Sequence, residues 1–374
     1  MINISPLPEL PALEEHWRQL ATDVPHSFFL SWPWISTWLH CIQPAVTPLL
    51  LTVSLDTKIV ASAIIVKRTV WRHNLLPVQT WVLNATGDRR FDNICTEHNG
   101  LLASAHHEKT AWQEVLDHFL THETDWDEFH LDGVAPWLAD AWASRGMPIR
   151  LSRQDVGRFL DLDGVRATEN RSCISLLAPR VRTRLRHTVA AVERRFGALA
   201  VSEAVTAEEA RGFFSELKDL HIKRWGDQPH GDAFDQPFFE RFHHELIARC
   251  FEEGLLQLAR VQAGSVTLGL LYNFVFQGRV SFYQSGINYA AAERGESIGL
   301  LVHALVIDRN AQQGQVIYDM LAGEAQYKRA LAALTTPLWW GELQAKRLKL
   351  RLEALLGGGY SSARRRVRNL FRER

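Results

Sequence analysis

Cysteine is scarce: four residues in 374, Cys41, Cys95, Cys173 and Cys250, with no two close together. That spacing excludes a disulfide framework and a structural zinc site, and suits a reducing compartment. Long apolar runs are missing too. None approaches the roughly 18–20 residues of a membrane span. The opening Met1-Ile-Asn-Ile-Ser-Pro6 lacks the basic region and apolar core of a signal peptide, so a cytoplasmic, soluble protein is expected. Metal-binding patterns are equally thin. His106-His107 and His243-His244 are adjacent pairs on expected helices, where side chains diverge by about 100°. Cys95 and His98 have no further ligands at useful spacing, and no metal is expected. There is no Gly-x-Ser-x-Gly elbow. Gly357-Gly-Gly359 follows no strand and reads as a linker.

The length suits two ordinary domains. With 46% apolar and 22% charged residues the chain is globular, and its 13 tryptophans are expected in the core or in groove walls. Net charge is zero but unevenly placed. Leu343–Arg374 carries ten Lys/Arg against two Asp/Glu. A basic tail of this kind can touch an anionic membrane surface or simply form a solvated helix.

In the first half, Ser31 is expected to cap a helix with Pro33 in its first turn and Trp34 and Trp38 on one face. Strands are predicted at Leu49–Val53, Ile59–Lys67 and Glu128–Leu131, with helices at His107–His122 and Pro136–Arg145. Residues 147–177 read as strand fragments and polar turns, and the domain crossover is placed there. In the second half Arg180–Phe196 reads as a basic helix. Thr206-Ala-Glu-Glu209 is a capping box opening a helix with Phe213, Leu217 and Leu220 on one face. A further helix is expected at Pro237–Glu252. Three runs, Leu255–Val261, Val266–Phe276 and Val280–Ser285, joined at Ala263-Gly264 and Gln277-Gly278, form an antiparallel meander. A last strand is expected at Gln315–Tyr318. After Gly323 the chain reads as helical and basic to its end.

Between the meander and that last strand, Asn288–Gly299 is a polar, Gly-containing loop. It runs into a helix with Ile298, Leu301, Val302 and Leu305 on one face. Backbone N–H groups at such a helix start beside a sheet make a site for phosphates. An ordinary capped helix is the plainer alternative.

Five elements in order carry a resemblance: Arg180-Val-Arg-Thr-Arg-Leu-Arg186, Leu220-His-Ile-Lys-Arg-Trp225, Val280-Ser-Phe-Tyr-Gln-Ser-Gly286, Arg294–Leu301 and Tyr318-Asp-Met-Leu-Ala-Gly-Glu-Ala-Gln-Tyr-Lys328. Together they resemble the GNAT-superfamily acetyltransferase domain of the family associated with cellulose and exopolysaccharide biosynthesis, itself related to Fem-type aminoacyl transferases. Phe29-Leu-Ser-Trp-Pro-Trp34 and Gly87-Asp-Arg-Arg-Phe-Asp92 resemble that family's N-terminal half. The resemblance implies a mixed α/β fold with two tandem GNAT-like domains, each a mixed sheet in a three-layer α/β/α stack. A degenerate half would span 1–160, the acetyltransferase domain 161–340 and a basic helical tail 341–374.

The acyl-CoA loop of the superfamily reads Gln/Arg-x-x-Gly-x-Gly/Ala; here it is Arg294-Gly-Glu-Ser-Ile-Gly299. Arg294 and Gly299 match and Ser297 replaces the first Gly. The resemblance therefore implies acetyl-CoA or another acyl-CoA as co-substrate, held by Arg294, Gly295, Ser297, Ile298 and Gly299. Glu296 would repel phosphates unless turned away. Acyl transfer needs a base, an N–H to polarise the carbonyl and an acid for the thiolate. Glu324 is the first candidate base and Asp319 the second. Tyr283 is a candidate acid, with the backbone of Tyr283–Gly286 supplying the N–H. His221 sits beside an apolar helix face as a base or a core residue. Arg224 and Trp225 would floor the acceptor cleft, and Tyr327 and Lys328 would hold an acidic group of the acceptor or a CoA phosphate.

Three functions follow. The first is acyl transfer from acyl-CoA to an amine or hydroxyl, on a small-molecule or saccharide acceptor such as a polysaccharide precursor. The second is a Fem-like transfer from aminoacyl-tRNA, with Arg180–Arg195 on RNA; the coiled-coil insert typical of that class is not evident, and nucleic acid is not expected as a partner. The third is a non-catalytic module docking through its tail.

Overall fold

The computed structural model describes residues 1–22, 24–225 and 233–355. The first half runs β1 (Ile2–Pro6), α1 (Leu10–Ala21), α2 (Trp32–Ile42), β2 (Pro48–Leu55), β3 (Lys58–Arg72) and β4 (Leu76–Leu83). A long connection holding the short β5 (Leu102–Ala103) leads to α3 (Glu108–Thr121), β6 (Glu128–Val134), α4 (Trp137–Ala143) and β7 (Ile149–Asp161). Helices α5 (Leu162–Arg166) and α6 (Pro179–Phe196) then bridge to β8 (Leu199–Glu203), α7 (Ala207–Trp225) and α8 (Pro237–Cys250). The order of the first half now repeats through β9 (Leu256–Ala263), β10 (Val266–Phe276), β11 (Arg279–Ile287), α9 (Ile298–Gln312), β12 (Ile317–Ala322), α10 (Gln326–Leu331) and β13 (Leu334–Gln344). Each half is thus a strand, two helices, a three-strand meander, and then helix, strand, helix, strand.

All main strands join one mixed sheet in the order β1-β2-β3-β4-β6-β13-β7-β12-β11-β10-β9-β8. Two pairs are parallel, β4 with β6 and β11 with β12, and each is held at only three register positions. Between these splayed pairs the halves exchange strands. β7, made by the first half, pairs with β12, and β13, made by the second, pairs with β6. β7 and β13 pair with each other along most of their lengths.

Helices cover both faces. On one face α1 and α2 pack on α7 and α8 around a core shared by the halves, where Trp34 meets Phe242 and Phe274 at ring separations of 4.8 and 5.6 Å. On the other face each half keeps its own core: Trp81, Phe119, Phe129 and Trp142 in the first, Leu301, Val302, Phe282 and Tyr318 in the second. Burying each large side chain contributes roughly 1.5–3 kcal/mol, so the shared layer binds the halves strongly.

Several expectations change. Ser31 precedes α2 without capping it, because its hydroxyl donates to the Phe28 carbonyl at 2.6 Å. The Thr206 box forms: its hydroxyl accepts from Glu209 N at 3.1 Å, and Glu209 reaches back to Val205 N at 2.9 Å. The fragments expected at 147–177 include one thirteen-residue strand, β7. The helical run expected after Gly323 is broken by β13, which extends past residue 341 into the expected tail. Residues 348–355 are helical, and the rest of the tail lies outside the described residues. Among the described residues no helix is long and apolar enough to cross a membrane.

Candidate active site

The β11–β12 ladder ends at Ser281 opposite Asp319, after which the strands part. α9 starts beside that gap and α10 closes its far side. The result is a cleft of about 490 Å³ lined by β11 from Phe282 to Ser285, the first turns of α9, and residues of α6, α7 and α10. α7 lies directly on β11. A Cβ at Gly286 would come within 2.4 Å of the Leu217 carbonyl oxygen, so only glycine lets the helix approach. One turn beyond Leu217, His221 reaches into the cleft and its Nδ1 lies 2.9 Å from the Ser285 carbonyl oxygen. A carbonyl can only accept, so Nδ1 carries the proton and Nε2 is the basic nitrogen.

At the helix start Ser297, Ile298 and Gly299 line the cleft. A Cβ at Gly299 would stand 3.4 Å from the Tyr289 hydroxyl, an ordinary contact, so bulk beyond Cβ is what would crowd this approach. Ser297 makes no side-chain cap, and its N–H donates at 3.1 Å to the Thr188 hydroxyl on α6. Glu296, the apparent obstacle to phosphates, is clamped by Arg195, with bonds of 2.8 and 2.6 Å. That guanidinium holds its carboxyl below the ordinary range; it also pairs with Glu293 at 2.8 Å, so the two carboxylates share one positive charge. Arg184 and Arg224 border the cleft, and the Arg224 guanidinium stands 4.9 Å over the Tyr289 ring. Arg294 and Gly295 are exposed and do not line it, so of the five expected loop residues the structure brings three together.

The candidate bases part company. Glu324 is exposed, paired with Arg158 at 3.3 Å and Arg329 at 3.1 Å, outside the cleft. Asp319 is buried between Arg279 at 2.8 Å and His98 at 3.1 Å, and accepts from Leu321 N. Burial pushes its carboxyl up, but His98 and Arg279 outweigh it and hold it below the ordinary value. Neither carboxylate lines the cleft, so neither is placed to take a proton from a bound acceptor. Tyr283 does line it, but its hydroxyl donates to the Ile94 carbonyl and lies 3.2 Å from His243 Nε2. With burial pushing the phenol up, it is a poor acid. The Ser285 N–H is occupied by Gln284 Oε1 at 3.0 Å. Lys328 is buried, its Nζ 2.6 Å from the Ala322 carbonyl it ties down. Burial lowers its pKa, and it lines the cleft with its ammonium tied to that carbonyl. Tyr327 borders the cleft, its ring stacked on His303 at 4.7 Å. Trp225 ends α7, and its side chain lies outside the described residues.

Two contributions escaped the sequence reading. His303, on the second turn of α9, lines the cleft while nearly fully buried. The first half braces the site without lining it: besides Ile94, Glu97 accepts from Ala322 N at 2.6 Å. These contacts fasten the loop after β4 to both lips of the β11–β12 gap, which a pairing of residues some 190–225 positions apart hides from local sequence reading. Among the described residues no group of three or more His, Cys, Asp or Glu is placed to hold a metal ion.

Residues 179–329 match the family model described as an acetyltransferase (GNAT) domain. The second half carries a GNAT fold. No curated protein matches the chain. Among solved structures it is similar to FemX, at 10% identity and a TM-score of 0.58 over 94% of this chain and 99% of that one. It is also similar to L-PGS from Bacillus licheniformis (10%, TM-score 0.51, 94% and 97%). A third is the C-terminal domain of a putative lysylphosphatidylglycerol synthetase from Agrobacterium fabrum (8%, TM-score 0.51, 91% and 95%). At these identities the likeness is one of fold. It extends over both halves, so the GNAT-like arrangement is tandem, a mixed α/β fold with helices on both faces of the sheet. The link to exopolysaccharide biosynthesis has no support among these relatives.

Proposed function

We propose that the second half transfers an acyl group from acyl-CoA to an amine or hydroxyl acceptor. One observation carries this reading: the start of α9 and the opened edge of β11 face a single cleft, with His221 on its wall and two arginines at its border. The α9 amides and Arg184 or Arg224 suit the pyrophosphate. Gly299 places no side chain in its way, and the Arg195 clamp, shared with Glu293, weakens the objection posed by Glu296. His221 Nε2 takes the proton from the acceptor as its nitrogen or oxygen attacks the thioester carbonyl; the C–S bond then breaks, and CoA leaves as the thiolate, which takes its proton from solvent or from the His221 imidazolium. The Nδ1 bond to Ser285 fixes the ring for that task. An acceptor in the form of a saccharide or polysaccharide precursor remains part of the proposal, resting on the sequence resemblance.

Calorimetry with acetyl-CoA tests the donor. Micromolar-range binding is expected, and its absence ends the reading. Thiol release in the presence of amino sugars tests the acceptor. The tRNA alternative would use the α6 arginines, but Arg182 and Arg195 are bonded to the Ser175 carbonyl and Glu296. A salt-sensitive gel shift with aminoacyl-tRNA, together with no CoA binding, would favour it instead.

A further inference from the structure

His303 has no part in the chemistry described so far. Its side chain lies between β11 and α10, edge-on to Phe282 at 4.6 Å and stacked on Tyr327 at 4.7 Å, and it borders the cleft. Among the described residues no group bonds to its ring, and Nδ1 is sealed from solvent without a partner. A buried polar atom left unpaired costs stability, and an orphaned N–H is rarer than an orphaned acceptor. The lone pair is therefore assigned to Nδ1 and the proton to Nε2, the nitrogen left for the cleft. Burial, aided by the nearby Lys328 charge, pushes the imidazole down to about 3, so the ring is neutral at working pH. A neutral imidazole can present an N–H to an oxygen without bringing a charge.

We propose that His303 donates a hydrogen bond from Nε2 to a carbonyl oxygen of the bound acyl-CoA. This rests on the acyl-CoA reading above. It also fills a gap in it, since the Ser285 N–H on the gap edge of β11 is occupied by Gln284. Two carbonyls offer the same chemistry, that of the thioester and those of the pantetheine amides. In the first case the bond stabilises the developing oxyanion; in the second it positions the donor.

The test compares wild type with His303→Leu and His303→Gln. Leucine fills similar space and removes the sealed, unpaired nitrogen, so its Tm is expected to equal or exceed that of wild type; glutamine restores a donor. Bound [1-13C]acetyl-CoA reports the thioester by its carbonyl 13C shift, and calorimetry with CoA reports the pantetheine arm. If the thioester is the acceptor, the downfield shift disappears in the leucine variant and acyl transfer falls about 10²-fold, while CoA affinity holds. If a pantetheine amide is the acceptor, CoA and acetyl-CoA both bind about 5–10-fold more weakly and the 13C shift is unchanged. Glutamine recovers part of either loss. A folded leucine variant with an unchanged 13C shift and unchanged affinity for both ligands overturns the proposal while leaving the acyl-CoA reading intact. Wild type that binds neither ligand overturns both.

Discussion

The two halves follow one order of elements but treat the gap between their parallel strands in opposite ways. In the second half the ten-residue connection 288–297 leaves the β11–β12 gap open to a cleft. In the first, the connection from β4 to α3 runs from residue 84 to 107 and folds back on the gap. Asn84 bonds Asn99 and the Gly100 carbonyl, both at 2.8 Å, and Asp92 caps Thr86. The same loop then reaches across to Tyr283 and Ala322. The two gaps thus differ: a cleft opens beside that of the second half, while the first half's loop braces the second half at Tyr283 and Ala322 without lining the cleft.

The comparison breaks first at His221. His221→Asn keeps an N–H for Ser285 but loses the basic nitrogen, so acyl transfer should fall about 10²–10⁴-fold with acetyl-CoA affinity unchanged. A mild loss would return His221 to the role of a packing residue. Next comes the start of the helix in each half. Gly299→Trp would fill the space beside Tyr289 and should weaken CoA binding about 100-fold or more, since bulk there meets the ligand directly. Lys109→Trp, at the corresponding second position of α3 where the side chain is exposed, should leave CoA affinity within about 2-fold. Equal effects at both positions would mean that both halves bind, and the contrast would be lost.

A smaller effect sharpens the claim that the first half braces the second half's site. Glu97→Ala leaves the Ala322 N–H without its acceptor, which costs about 1–3 kcal/mol of stability. Acceptor KM should rise roughly 10-fold while acetyl-CoA affinity holds, and Glu97→Gln, still able to accept that bond, should recover most of the loss. An unchanged acceptor KM would separate the loop from the site.

How much could be read from the sequence follows the same division. The meander and α9 were legible because they are apolar runs, buried on more than one face, set off by turns where Gly264 and Gly278 take positive φ. β7 and β13 were not, because no helix covers most of β7. Its first six residues, from Ile149 to Gln154, are exposed despite a central place in the sheet, so no apolar period marks it. Within the site, residue type suggested Glu324 and Arg294, but exposure is decided by how α10 and the loop turn. His303 was hidden for the converse reason, since a histidine on an apolar helix reads as core until its unpaired nitrogen is seen.

The weakest effect is expected at the seam, where the exchanged strands carry a charge relay instead of a site. Glu342 on β13 accepts from Arg150 on β7 at 2.9 and 3.0 Å and lies 3.4 Å from His130 on β6, which also contacts Asp132 at 2.9 Å. Burial alone would lower His130, but Asp132 and Glu342 outweigh it and raise the ring to about 10. Burial likewise pushes Glu342 up, yet His130 and Arg150 bring it down to about 2. A histidine raised by folding stabilises fully below its ordinary value of 6.5 and loses that support as pH climbs towards 10. A lowered carboxylate supports the fold above 4.5 and loses that support as pH falls towards 2. Seam stability should therefore peak between those ordinary values and decline from pH 6.5 to 10 by about 1–2 kcal/mol, the ring being partly exposed and screened. Denaturant unfolding across that range should show the decline in wild type and lose it in His130→Gln. His303→Leu should keep the decline, because the ring it removes is already neutral there. A slope that survives in His130→Gln would mean that another group titrates across that range, leaving Arg150–Glu342 as the ionic contact between the exchanged strands.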